Sequence, residues 1–340
     1  MNDQSNLNVA FLDVGQGDST VIILPDGRSA ILVDCPEGQA PVVFDFLESH
    51  RIQVIEYAFI THSHFDHAGG MVDLINRFRS EGGEARYLAY LHDQPVSDDK
   101  DERKKYRHLL RGLAKIGRRG TRLLYPIASD GTVKIGEVLL QVLHPTQADC
   151  SDALAMSNRD EARNDISVVL RIEYAGRRVL LGADVQGQGW SWIASRHTDL
   201  QADIFKFPHH GAWYDKGTLI PEILNRIRPG YVIISVGTRN NYNHPSENTF
   251  KELRKRSKIL RFLCTQATFQ CHSDFSCIRE QIFSLLPSDS QFGFSQHDEK
   301  ACPCAGTIFA RISDSGIVVS PTTKEHALII GRFNTPQCRL

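Results

Sequence analysis

The stretch VIEYAFI followed by THSHFDHAGG, residues 54–70, constrains this chain more than any other. The apolar run reads as a buried strand, and GG followed by MVDLINRF reads as a turn opening an amphipathic helix. His62, His64, Asp66 and His67 therefore sit on a loop at a strand's C-terminal end. Neutral imidazoles and a carboxylate at this spacing converge on a cation, and alternate side chains of a tight loop can serve two. A short His-rich tract of this kind reads as metal binding rather than as an incidental polar loop.

One loop supplies too few ligands for a metal centre, and later strand ends offer more. LLGAD puts Asp184 just after an apolar run, KFPHHGAW supplies His209 and His210, and NNYNHPSEN supplies His244. Each alone reads equally well as surface polarity, but together, each near the end of an apolar run, they look like a converging site. Short β-rich runs (VAFLDVG, STVIIL, SAILVDC, YAFITH) alternate with segments of helical spacing such as APVVFDFLESH, which predicts α/β layers of sheet with helices packed outside. With 340 residues, 41% of them hydrophobic, the chain can bury a substantial core, and it shows no internal repeat or obvious linker.

The order of LDVGQGDST, ILVDC, THSHFDHAGG, NDISVVL, LLGAD, FPHHG, ISVGTRNNYNHPS and CTQ resembles the metallo-β-lactamase superfamily. It is most similar to the soluble hydrolase domain of ComEC-type competence proteins, whose branch carries the DVGQGD and HHG pieces. The likeness runs from about residue 7 to about residue 265 and resumes near AGTIFARISDSGIVV. It implies an αββα sandwich over residues 1–320, with a Cys/His-rich insertion at 266–305 and a C-terminal extension at 321–340.

The resemblance further implies that His62 and His64 hold a first metal, that Asp66 and His67 hold a second, and that Asp184 bridges both. Where the superfamily places a further histidine this chain has Asn164, so either His209 or His210 completes the shell, with His244 closing the second metal. Asp34 and Asp13 look like groups that orient ligand imidazoles through the other ring N–H. Nitrogen and oxygen ligands without thiolate suit two zinc or manganese ions. Two cations about 3.5–4 Å apart hold a hydroxide between them and stabilise an in-line displacement at phosphorus, with Asp66 taking a proton or fixing the nucleophile.

The leading expectation is therefore a nuclease or phosphodiesterase. The rivals are a small-molecule ester or lactone hydrolase and a partner-gated regulatory or defence-type effector. The formal charge of −1 gives no global pull toward nucleic acid, so any footprint must be local. Residues 100–122 hold ten Lys and Arg against Asp101 and Glu102, and KELRKRSKILR forms a second basic group. The opening MNDQSNLN lacks the regions of a signal peptide and no apolar run is long enough to cross a bilayer, which predicts a soluble, cytoplasmic protein with no membrane partner. In the insertion, Cys271, His272, Cys277, Cys302 and Cys304 form a set that could clamp an additional structural zinc, or else dock a protein partner.

Overall fold

The computed structural model describes residues 6–128, 131–214, 218–292 and 301–338. Part of the insertion, residues 293–300, thus lies outside the described residues. In chain order the strands are Leu7–Phe11 (β1), Thr20–Ile23 (β2), Ser29–Val33 (β3), Val54–Ile60 (β4), Glu84–Tyr90 (β5) and Arg122–Leu124 (β6). Then come Val133–Ile135 (β7), Val138–His144 (β8), Val169–Tyr174 (β9), Arg177–Leu181 (β10), Ile204–Lys206 (β11), Tyr231–Ile234 (β12) and Arg261–Cys264 (β13). Ile308–Ser313 (β14) and Gly316–Ser320 (β15) complete the set among the described residues.

One sheet has the order β15-β14-β1-β2-β3-β4-β5-β6 and the other β13-β12-β11-β10-β9-β8-β7. Period-2 alternation decides how they stack, because successive side chains of a strand point to opposite faces. Val9 and Phe11 of β1 join Leu170, Val179 and Ile204 in a core between the sheets, whereas Ala10 and Leu12 face helices. Those helices are Ala40–Ser49, Met71–Ser80 and Lys100–Arg118, whose Phe46, Leu74, Leu113 and Ile116 cover the first sheet. Gly187–Arg196, Leu219–Ile227 and Glu247–Lys255 cover the second with Trp190, Ile223 and Phe250. The chain thus forms two sheets flanked by helices, the fold that the resemblance implied.

The insertion and the extension join the second helical layer. Cys271, Phe275 and Cys302 pack in the same core as Ile329 and Phe333, which follow from helix Thr323–Ile330. Residues 331–338 run back over the insertion, where the Thr335 amide donates to the Cys271 carbonyl at 3.0 Å. Strands β3 to β6 are mutually parallel, as are β10 to β13. Their carboxyl ends open on one edge, the place where open α/β sheets collect ligand-binding loops.

Candidate metal centre

Asp34 follows β3 with φ 63°, a left-handed conformation that turns its carboxylate toward the neighbouring parallel strand. One oxygen accepts from the Thr61 amide at 2.8 Å, and the other accepts from the Thr61 hydroxyl at 2.7 Å and from His67 Nδ1 at 2.8 Å. That bond fixes the tautomer of His67 and aims Nε2 into the site. The metal loop is seated from below by the DVGQGD turn. The Asp18 amide donates to the Asp66 carbonyl at 3.0 Å, and a Cβ on Gly17 would lie 2.7 Å from that oxygen. The glycine is required for this approach.

Asp184, just beyond β10, is the point of convergence. His67 Nε2 lies 3.2 Å from one of its oxygens, and His210, His209 and His62 lie 3.8, 3.9 and 4.0 Å from the other through Nε2. His210 Nε2 is also 3.4 Å from Asp66, and His62 Nε2 faces His64 Nδ1 at 2.9 Å. Two triads of ligand atoms result, His62 with His67 and Asp184, and Asp66 with His67 and His210. Among the described residues, the buried His67 Nε2, Asp184 Oδ1 and His210 Nε2 face only one another or Asp66, without a hydrogen bond of good geometry, and Asn164 Oδ1 has no partner. Buried polar atoms normally find partners. The first three converge around Asp184 and Asn164 lines the same cleft, which fits a pair of cations.

The charges suit that role. Burial, then His67 and His64, keep His62 neutral well below the usual range, and burial with Arg163 pushes His64 down to about 4, so both present lone pairs. Burial opposes ionisation of Asp66, but His210 and His67 beside it outweigh that effect and hold its carboxyl below the ordinary value.

His209 and His210 both take left-handed backbone, φ 50° and 52°, a conformation that costs non-glycine residues about 1–3 kcal/mol each. The surroundings hold it, since the His209 amide donates to the Ala183 carbonyl at 3.0 Å and His210 Nδ1 donates to the Ser235 carbonyl at 3.0 Å. His210 therefore joins a triad, while His209 Nδ1 accepts from Gln186 at 2.8 Å at the margin. His244 stands one layer out, its ring 5.4 Å from His209 and stacked on Tyr242. Asp34 does not line the cleft; it acts through His67. The cleft is about 1010 Å³, with Gln16, Asn164, Tyr214 and Tyr242 among its walls, none of which sequence patterning marks as functional except Asn164.

Two expectations need correction. Asp13 orients no ligand: its carboxylate accepts from Gln266 Nε2 at 2.7 Å, its amide donates to Thr307, and its second oxygen is buried without a partner. Burial pushes this carboxyl up to about 6 against the Gln266 bond. The folded protein thus holds the proton more tightly than the unfolded chain. The resulting stabilisation is full below pH about 4 and is lost as pH rises to about 6, worth about 3 kcal/mol. Asp13→Asn is expected to remove that loss and to exceed the parent in urea midpoint above pH 6. A parallel pH dependence in both proteins would show that Asp13 is ionised in the fold.

The second correction concerns the cysteines. Among the described residues Cys271, His272, Cys277 and Cys302 form no ligand group. Cys277 is exposed, His272 Nδ1 accepts from the Asn334 amide at 3.1 Å, and the Cys302 thiol turns to the Pro303 carbonyl. Cys304 is drawn elsewhere, to His326 and Cys338.

Residues 12–154 match the model of the metallo-beta-lactamase superfamily. Over 271 residues, 74% of this chain, the sequence is 25% identical to ComE operon protein 3 of Bacillus subtilis (strain 168), and the match spans 31% of that longer protein. Among solved structures, the metallo-beta-lactamase fold protein YhfI from Bacillus subtilis aligns at 12% identity and TM-score 0.46, covering 77% of this chain and 96% of that one. Igni18, a metallo hydrolase from Ignicoccus hospitalis, aligns at 14% and 0.43, covering 76% and 94%. No helix among the described residues is long and apolar enough to cross a membrane. Residues 12–154, which contain the metal loop, thus resemble the metallo-β-lactamase superfamily, and the carboxyl edges of the two sheets gather that loop, Asp184 and His210 into groups that could hold metal ions.

Proposed function

We propose that this hydrolase cleaves phosphodiester bonds in nucleic acid. The observation that carries the reading is a second cavity, about 930 Å³, that shares Phe65, Asp101 and Lys105 with the metal cleft. Lys104, Arg107, His108 and Arg111 line it from one face of helix Lys100–Arg118, as spacings of three and four residues require. Phe65 forms part of its wall, with Lys105 Nζ 5.1 Å above the ring and 2.9 Å from Glu37. A basic wall beside an aromatic ring is how single strands are gripped, by phosphate contacts and base stacking. The likeness to the ComEC-type hydrolase domain supports the same substrate class.

In this reading His62 and Asp184, with His64 beside His62, would hold one cation, and Asp66, His67, His210 and Asp184 would hold the other. Two divalent cations, zinc or manganese, supply a lowered water pKa and stabilisation of charge on attacking and leaving oxygens. The chain's own residues do the rest. Asp34 and the Ser235 carbonyl fix the tautomers of His67 and His210. Asp66, ionised and half-buried, is placed to accept a proton at its carboxylate. His244 lines the cleft wall beside His209, where it can position substrate.

A second reading, hydrolysis of an uncharged ester or lactone, is favoured by Asp99, Glu102, Asp160 and Glu161, which make one wall of the cleft acidic. One experiment separates the two. Lys104→Gln, Arg107→Gln and Arg111→Gln together are expected to weaken binding of labelled single-stranded DNA irrespective of sequence. They should reduce the slope of log affinity against log salt by about 2, roughly 0.7 per lost contact. Cleavage of a small artificial phosphodiester should persist. Turnover of esters with none of DNA, RNA or the artificial diester would favour the second reading.

A further inference from the structure

A separate convergence of ligand-type side chains lies in the helical layer of the second sheet. Cys264 ends β13, Cys304 lies in the turn leading to β14, His326 is on helix Thr323–Ile330, and Cys338 is in the tail. All four are buried, with exposures of 3%, 1%, 0% and 2%. Backbone bonds hold the first two side by side, the Ala305 amide donating to the Cys264 carbonyl at 2.9 Å and the Cys304 amide to the Thr265 carbonyl at 3.0 Å.

The ligand atoms of Cys304, His326 and Cys338 all lie within 4.8 Å of one another, and Cys304 Sγ is 3.4 Å from His326 Nε2. The Cys338 thiol hydrogen-bonds with Cys264 as well as Cys304, which brings Cys264, outside that 4.8 Å group, beside it as a fourth candidate ligand. Tetrahedral zinc with bonds of about 2.3 Å to sulfur and 2.0–2.1 Å to nitrogen sets ligand edges of roughly 3.8 Å for S···S and 3.5 Å for S···N. His326 Nδ1 has no partner among the described residues, so the imidazole's hydrogen-bonding contact there is with a thiol. Isolated buried cysteines pack as small hydrophobes, and a disulfide would join two thiols while leaving the third and the imidazole unexplained. A cavity of about 490 Å³, lined by Lys258, Arg261, Thr323 and Cys338, reaches one of the four.

We propose that Cys264, Cys304, His326 and Cys338 hold one structural zinc ion, a site distinct from the hydrolytic centre and sharing only Cys304 with the set Cys271, His272, Cys277, Cys302 and Cys304. The ion ties the tail and its helix to the last strand of the second sheet, so ordering of residues 331–338 is coupled to metal binding. The inference is independent of the substrate proposed above.

The full chain, loaded with cobalt(II), is expected to show thiolate-to-metal charge-transfer absorption, which nitrogen and oxygen ligands at the other centre do not give. Cys338→Ser and His326→Gln should each lower zinc content by about one ion per chain, the stoichiometry of a closed four-ligand site. The remaining metal should stay. Because loss of a buried side chain can itself unfold either variant, the parent protein is also titrated with an organomercurial. About one zinc per chain should be released as the thiols react, and the tail should become protease-sensitive. Absence of thiolate-to-cobalt absorption in the parent overturns the proposal. So does an intact mass, without added oxidant, that shows a disulfide among Cys264, Cys304 and Cys338.

Discussion

Asp184→Asn is expected to lower kcat/KM by at least about 10³-fold, equivalent to about 4 kcal/mol of transition-state stabilisation. This carboxylate is the group that four imidazoles face at 3.2–4.0 Å. An amide in its place keeps the shape but loses the charge and one of the two anionic oxygens that would join the two metal positions. Asp34→Asn acts at one remove through the His67 tautomer and should fall in the 10–100-fold range typical of groups that orient ligands. The pair of variants is measured with metal content determined in parallel. Equal losses in the two, or an Asp184→Asn protein within tenfold of the parent, would contradict a shared bridging role for Asp184.

Lys206→Met is expected to produce the largest loss of stability, about 3–5 kcal/mol in denaturant unfolding. Lys206 is 2% exposed and Asp18 is 6% exposed, and their charged atoms are 2.6 Å apart. The pair bridges the DVGQGD turn of one sheet and β11 of the other across 188 residues of sequence. Removing one charge leaves the other buried and uncompensated, whereas removing both need cost little. The double variant Lys206→Met with Asp18→Asn should therefore recover most of the loss, and a cycle of the four proteins yields the coupling directly. Additive losses would show that the aliphatic stem of the lysine, not the ion pair, carries its contribution.

The metal loop was legible because its ligands are local. His62, His64, Asp66 and His67 fall within six positions after one apolar strand, and Asp184 follows another. The choice between His209 and His210 was not legible, since both adopt the same strained backbone and only the Ser235 carbonyl, from a neighbouring strand, aims His210 inward. Asp13 misled for the same reason: spacing places it at a strand end but cannot show that Gln266, far along the chain, will claim it. The composition of residues 100–122 shows a basic segment but not its division in space, in which Asp101, Glu102 and Lys105 line the metal cleft while Lys104, Arg107 and Arg111 line the neighbouring cavity. The thiol cluster draws on positions 264, 304, 326 and 338, a set without any local period, and His326 and Cys338 lay beyond the segment that composition singled out.

The placement of β14 has a consequence for synthesis on the ribosome. β1 is flanked on one side by β2 and on the other by β14, with Leu7 opposite Ile312 and Phe11 opposite Ile308. A growing chain can form the β1–β2–β3 meander early, but one row of β1 amides and carbonyls stays open until roughly three hundred further residues have been made. Translation at about 5–20 residues per second keeps that apolar edge unpaired for tens of seconds. An open strand edge is a template for pairing with other chains. Nascent molecules on one messenger are therefore exposed to misassembly at their first strand, and slowing elongation after β3 should lower soluble yield without altering the finished protein.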